Sequence, residues 1–468
     1  MKNLPIVLSV VALLSSATTD LCAQAIHTGY LAESYLLRHQ LNPAYGNNCA
    51  YFSLPVLGAT HVDLHSNFGV KNIIFEKSDG SGLTTFMHPE ISPGFIDEID
   101  GDPNIRLNLD MPVVSVGFKA FGGYNTIESG LHVRSDIAID RDLLRLMKHT
   151  SADSHYNLGN TAATAMAWTD ISLGHSRQIT DRLRVGAKVK ALLGIAYADA
   201  DLSGTQAHLN DDEWMLDLEG HLRIAGGGKM TTDEGSTEMT GYEDFTPGVN
   251  GFGMALDLGA TYQLEAVEGL TFSASLTDLG YIKWDCEQAS PSGEAFAFNG
   301  FDKMKLHDGE GTIDAESGKS GYTDGTIDEQ WERIGDDFED MSRFYVDGPK
   351  SARQDLGTTL NLGAEYKLPL CNMISFGLLY SQRLSRTFDY TEARVIADFG
   401  PGQWFDLALS ADLTSYGAGW GALLSLKVPG FSLHAGLDRM YLGSVNGDGI
   451  PLDDGGLNVS FGINVPLK

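Results

Sequence analysis

The sequence predicts an all-β fold: a transmembrane outer-membrane β-barrel of about 14 antiparallel strands, with a short N-terminal plug and long external loops. Three observations predict it. Apolar and polar residues alternate with period two in segment after segment. Those segments run about 10 to 16 residues, where soluble strands average about 5 to 6. The connections between them come in two lengths, short and long.

The first element is a targeting segment, residues 1–23. Lys2 supplies a positive charge, Leu4 to Leu14 an apolar stretch too short to span a bilayer as a helix, and small residues follow, with cleavage expected after Ala23 or Ala25. Asp20 and Leu21 before Cys22 fit a lipoprotein signal badly. No later stretch approaches the roughly 18 to 20 apolar residues of a membrane helix. The chain is therefore expected to be exported, with residues 24–49 as a plug or hatch and 50–468 as the barrel.

The wall strands follow. Ile127, Leu131, Val133, Ile137 and Ile139 interleave with Glu128, His132, Arg134 and Asp136. Successive side chains of a strand face opposite ways, so one face is apolar and the other charged. The pattern recurs from Leu183 to Ile195 around Arg184, Lys188 and Lys190, from Phe252 to Leu264, from Leu270 to Leu276, and from Leu356 to Leu368 around Glu365 and Lys367. It returns from Phe431 to Leu437 and from Leu457 to Leu467. A tilted strand needs roughly 9 to 11 residues to cross the bilayer, and a Lys or Arg facing lipid at its middle costs on the order of 2 to 4 kcal/mol. The apolar face carries almost no charge, as that cost requires. Glu128, His132, Arg134, Asp136, Arg184, Lys188, Lys190, Glu365 and Lys367 are accordingly expected to face the lumen, as a salt-bridged filling or as a polar path.

Short turns fall at 121–123, 179–182, 265–269, 369–372, 400–403 and 429–430. Long connections cover 71–105, 140–162, 199–251, 285–355 and 443–454. With short turns periplasmic and long loops external, strands lie near 59–70, 106–120, 124–139, 163–178, 183–198, 252–264, 270–284, 356–368, 373–388, 391–399, 404–413, 418–428, 431–442 and 455–467. The alternating segment 214–225 breaks the parity and is placed in an external excursion, a hairpin above the membrane. Trp168, Tyr262, Trp284, Tyr366, Tyr380, Trp404, Trp420 and Tyr441 are read mainly as headgroup-level anchors.

The 285–355 loop holds 18 acidic and 7 basic residues. Within it Ile327, Trp331, Ile334, Phe338 and Met341 recur at helical spacing behind a Thr326–Glu329 capping box, predicting a short amphipathic helix.

Residues Gln40 to Gly46 read QLNPAYG. Leu41, Asn42, Pro43 and Ala44 resemble the NPA element near the start of FadL-like fatty-acid transporter barrels, and are similar to the start of the Bacteroidota secretion-associated barrels PorV and PorP/SprF. Ser275 to Gly280 resembles another recurring element of these barrels. Leu54–Gly58, Leu83–Pro89, Ser115–Lys119 and Gly417–Leu424 resemble a Bacteroidota outer-membrane barrel family of unassigned function. The FadL-like resemblance implies a 14-stranded barrel with an N-terminal hatch in its lumen, at Leu41, Asn42, Pro43 and Ala44. The chain departs from many such barrels by ending in Val465-Pro466-Leu467-Lys468 rather than an aromatic residue.

Chemistry is thinly signalled. Gly174-His175-Ser176-Arg177-Gln178 lacks the last glycine and the strand-to-helix elbow of a nucleophile motif. Gly251-Phe252-Gly253 lacks the rest of a dinucleotide fingerprint. Asp97, Asp100 and Asp102, and Asp448, Asp453 and Asp454, cluster without EF-hand spacing. No catalytic residue, metal site or cofactor is singled out. Cys49, Cys286 and Cys371 are too few for a disulfide framework, though one bridge is open. With 62 acidic residues against 32 basic and a net charge of -30, nucleic acid is a poor partner.

The expected function is non-enzymatic: an outer-membrane scaffold, linked to secretion or assembly, that binds a protein partner through acidic external loops. The alternative is a FadL-like conduit for small hydrophobic molecules, with an outer-membrane enzyme as a minor reading. The expected surroundings are outer-membrane lipid and lipopolysaccharide.

Overall fold

The structure, a computed structural model, describes residues 26–468 except 100, 149–153, 211, 300–302, 308–309, 315–326, 386–388, 416, 443–454 and 468. The expected signal peptide and the 443–454 loop therefore lie outside the described residues.

Fourteen antiparallel wall strands form one closed sheet. They are β1 (Ala50–Ser53 and Thr60–Ser66), β2 (Asn104–Ala120), β3 (Gly123–Ala138), β4 (Ala162–Gln178), β5 (Leu183–Asp201), β6 (Gly251–Gln263) and β7 (Leu270–Pro291). Then come β8 (Phe344–Asp355 and Thr358–Lys367), β9 (Ile374–Leu384), β10 (Tyr390–Gly402), β11 (Phe405–Thr414), β12 (Gly417–Val428), β13 (Phe431–Leu442) and β14 (Gly455–Leu467). Each pairs with the next, and both halves of β1 pair with β2 on one side and β14 on the other, which closes the ring.

The alternation sets the two faces. Leu173, Val189, Phe252, Met254, Leu378, Leu409 and Leu413 stand exposed on the outside, while Arg106, Glu128, Asp257, Arg394 and Asp438 are buried within. This inverts a soluble core and suits a wall with lipid outside. The turn between β2 and β3 is the two residues Phe121 and Gly122, at φ 56° and 74°. Positive φ at both positions is what a tight hairpin matching strand twist requires. Pro112 breaks no ladder because it sits at a bulge, and its carbonyl accepts from Val56 N in the turn that interrupts β1.

Two expectations need correction. Residues 285–291 and 344–355 are not loop, because β7 and the first half of β8 pair there, up to Pro291 with Phe344. At about 3.3 Å per residue β7 far exceeds an apolar band about 25 Å tall. Its outward residues turn polar at Lys283 and Asp285, where the wall leaves lipid and strand pairing continues in water. Segment 214–225 is not one hairpin. Trp214–Asp217 pairs with Gln206–Leu209 in an external four-stranded sheet completed by Ser154–Asn157 and Phe296–Phe298. His221–Ala225 instead enters the wall beyond the end of β6, between β5 and β7. A helix spans Ile327–Met341 in the long loop. Cys49, Cys286 and Cys371 are free thiols.

Candidate functional site

Residues from Ile26 to Tyr45 lie inside the barrel in two short 3-10 turns, His27–Tyr30 and Arg38–Gln40, joined by irregular chain. Ile26, Tyr30, Leu31, Tyr35, Leu36, Leu37 and Leu41 pack with inward-facing Leu379, Ile396, Ala408 and Leu423 of β9 to β12. The wall makes room with glycine. A Cβ on Gly186 of β5 would stand 2.1 Å from Pro43 O, and one on Gly259 of β6 2.1 Å from Asn42 Oδ1 and 2.9 Å from Ala44 N. Leu41, Asn42, Pro43 and Ala44 thus occupy a seat that larger side chains would fill. Asn42 is fully buried: its Oδ1 accepts from Ala44 N at 2.9 Å, and its Nδ2 donates to Ala274 O at 3.3 Å and Tyr30 Oη at 3.3 Å. Leu41 O accepts from Ser275 Oγ at 2.7 Å.

Charge ties the segment down at four further places. Asp438 accepts from His27 N at 2.5 Å and Thr28 N at 3.2 Å. Arg394, fully buried, joins that carboxylate at 3.0 Å to Glu392 at 2.5 Å and Asp412 at 3.2 Å. Ser34 N donates to Asp406 at 2.6 Å. His39 Nε2 lies 2.9 Å from Glu128, which also pairs with Lys188. Glu33 meets Lys367 at 3.1 Å. Burial pushes the Glu33 carboxyl up, but Arg38, Lys367 and Lys427 outweigh it and hold it below its usual range.

The segment forms part of the wall of two cavities. One, about 150 Å³, is bounded by Gln40 and Leu41 and lined by charged groups of β2 to β7. There His132 bridges Asp110 and Asp170, the latter at 3.0 Å. Lys190 holds Asp257 at 2.9 Å and Asp278 at 2.8 Å. Arg134 reaches Asp278 at 3.3 Å and the Leu356 carbonyl. The other, about 260 Å³, lies at the short-turn end, bounded by Leu31 and Glu33 and by the Asn372–Met373 and Gly400–Gln403 turns, with Glu365 and Lys367 on its wall.

Beyond the first cavity, towards the long loops, lies an apolar layer of Met166, Trp168, Leu192, Tyr197, Ile282, Trp284 and Leu356. Tyr197 stacks on Trp284 at 5.1 Å. Trp168 stacks on His132 at 5.1 Å and carries the Arg134 guanidinium at 5.0 Å. Trp168 and Trp284 are therefore luminal, not headgroup anchors. Tyr262, Tyr366, Tyr380, Trp404 and Trp420 are exposed on the wall, and the Tyr441 side chain is outside the description.

Of the polar residues expected in the lumen, the structure brings Glu128, His132, Arg134, Lys188 and Lys190 around one cavity. Asp136 pairs with Arg106 at 3.1 Å beside it. Arg184 donates to Ser176 Oγ at 2.9 Å near the Pro43 seat, which gives Ser176 a structural partner in mid-sheet. In the loop helix Ile334 is half-buried and Met341 buried; the side chains of Ile327, Trp331 and Phe338 are outside the description. Residues missed include Asp110, Asp170, Asp278 and the Glu392–Arg394 pair. The alternation of Glu392, Arg394 and Asp398 with Val395 and Ala397 was a readable signal for that pair. Among the described residues no group of three His, Cys, Asp or Glu side chains is arranged to hold a metal.

Residues 43–438 match the family of unknown function DUF5723, and the chain belongs to that family. No curated protein matches it in sequence. Among solved structures it is similar to the Ralstonia pickettii toluene transporter TbuX (9% identity, TM-score 0.41, 96% of each chain covered). It is also similar to the P. putida toluene transporter TodX (8% identity, TM-score 0.37, 96% of this chain and 95% of that one). A Pseudomonas aeruginosa FadL homologue is a third (12% identity, TM-score 0.38, 96% and 99%). Likeness at this level implies nothing about what passes through this chain.

Proposed function

We propose that this protein is an outer-membrane conduit for small molecules with an apolar part, and that its N-terminal segment is the gate. One observation carries the reading: the same twenty-odd residues wall off a luminal cavity on one side and a short-turn-end cavity on the other. Transit between the two requires that segment to move. Its seat is polar and specific around Asn42, which suits a part that leaves and returns to one position. The apolar layer of Trp168, Tyr197 and Trp284 suits the apolar part of a solute arriving from outside. No residue of the lumen is asked to do covalent chemistry.

The test is uptake of small apolar-bodied solutes, such as toluene and benzyl alcohol, into vesicles carrying the purified protein. Asn42→Ala combined with Pro43→Gly should change the rate severalfold. No change with any solute would remove the reading. A protein-binding role is the second reading, favoured by Trp214 and Met215 standing exposed on the external four-stranded sheet. Deleting 300–345 should then abolish co-purification of a partner; an unchanged set of co-purifying proteins would end it.

A further inference from the structure

Among the described residues, one deeply buried arginine of the lumen forms no salt bridge. Arg383, in β9, is 3% exposed, and its Nε and Nη1 have no hydrogen-bond partner. Its Nη2 donates to Leu356 O at 3.3 Å. Arg134, in β3, donates through Nη1 to that same carbonyl, and its own Nε is without a partner. Two guanidiniums from strands six apart in the ring therefore converge on one carbonyl oxygen, at the break between the halves of β8. Arg106 is the third cation of the group.

The carboxylates close by are already engaged. Asp136 is held by Arg106 at 3.1 Å, Asp278 by Lys190 at 2.8 Å and Arg134 at 3.3 Å, and Asp257 by Lys190 at 2.9 Å. Among the described residues no salt bridge is formed to Arg383. In a chain of net charge -30, Arg106, Arg134, Arg383 and Lys190 here stand against Asp136, Asp257 and Asp278, out of water and with guanidinium donors unused. Buried donors left unmade are costly, and more so when charged. The planar fork of a guanidinium matches the oxygens of carboxylate and phosphate. The cavity of about 150 Å³ that Arg134, Leu356 and Thr359 line lies alongside, and its carboxylates Asp110, Asp170, Glu128 and Asp278 are held by His132, Lys188, Lys190 and Arg134. It has room for a small anion.

We propose that Arg383, Arg134 and Arg106 form a binding site for an oxyanion of the carboxylate or phosphate class at the Leu356 carbonyl. The anion is either free or the head of an anionic amphiphile. This goes beyond the conduit reading, because the site stands whether or not the bound anion crosses the wall.

The experiment is thermal unfolding of the full chain in a non-ionic detergent at constant ionic strength, titrated with inorganic phosphate, acetate or octanoate. The expected result is a saturable rise in Tm with at least one probe. Arg383→Gln, with folding checked by heat-dependent gel mobility, should weaken the apparent affinity by about tenfold or more. A response to phosphate or acetate assigns a free oxyanion, and a response to octanoate alone assigns an amphiphile head. Thr359 faces Arg383 in register, so Thr359→Asp supplies a built-in carboxylate. That variant should be insensitive to every probe, and it keeps the test decisive if Arg383→Gln does not fold. No saturable rise in the unsubstituted protein, or an undiminished response in either variant, would overturn the site.

Discussion

Gly186 and Gly259 decide how closely the N-terminal segment can sit. The atom nearest a Gly186 Cβ is a backbone oxygen, Pro43 O, which cannot swing aside as a side chain can. Gly186→Leu should therefore unseat Asn42–Ala44 while leaving the strand pairing intact. Limited proteolysis should then cut near residues 40–47 in the variant and not in the unsubstituted protein. Arg394 makes a different prediction. It is the cation shared by Glu392, Asp412 and Asp438, so Arg394→Met should cost about 3–5 kcal/mol in denaturant unfolding. Arg353→Met removes a mostly exposed cation beside Asp355 and should cost about 1 kcal/mol or less. Glu33 sets a pH limit. Its carboxyl titrates below the usual range when folded, so its contribution is present above the unfolded value, about 4.3, and is lost as pH falls through the lower folded value. The Glu33–Lys367 tie should therefore survive acidification from about pH 7 to about pH 5. Loss of protease protection already at pH 5 in the unsubstituted protein, but not in Glu33→Gln, would contradict this.

Among elements, the strands were legible because lipid imposes one rule on every outward residue. β3, β4, β12, β13 and β14 begin and end within a residue or so of their expected bounds. The rule also predicts asymmetry within a strand. Leu378→Arg, on the outer face of β9, should cost about 2–4 kcal/mol for insertion into vesicles, while Ser381→Thr, on the inner face, should insert normally. Equal insertion of Leu378→Arg would contradict the assigned facing. Legibility stopped where register slips. Thr277 and Asp278 together oppose Asp257 in a bulge of β7, with Asp278 at φ 57°. One extra residue reverses every later side chain. Trp284 shares parity with outward Phe272, yet the bulge turns it into the lumen. A second bulge near Ile195 of β5 does the same for Tyr197. Nothing in the local alternation marks either slip. The wall above the lipid was misread for a related reason: once outward residues meet water, as at Lys283 and Asp285, apolar alternation ends while strand pairing does not. The luminal partners of Glu128 and Arg134 come from His39, Lys188, Asp278 and Leu356, far apart in sequence, and only closure of the ring brings them together.

At the scale of the molecule, an acidic chain builds a wall that is apolar outside and densely charged inside, and fills its middle with its own N-terminal residues. The proposed gate is this segment, closing a path through the wall. Single-channel recording in planar bilayers tests it most directly, comparing the unsubstituted protein with the Gly186→Leu, Gly259→Leu double variant, each checked for barrel folding by heat-dependent mobility. The expected result is a closed or briefly flickering baseline for the unsubstituted protein and a steady ionic conductance for the variant. A variant that folds, exposes residues 40–47 to protease and still does not conduct would contradict it, as would an unsubstituted protein that is already open.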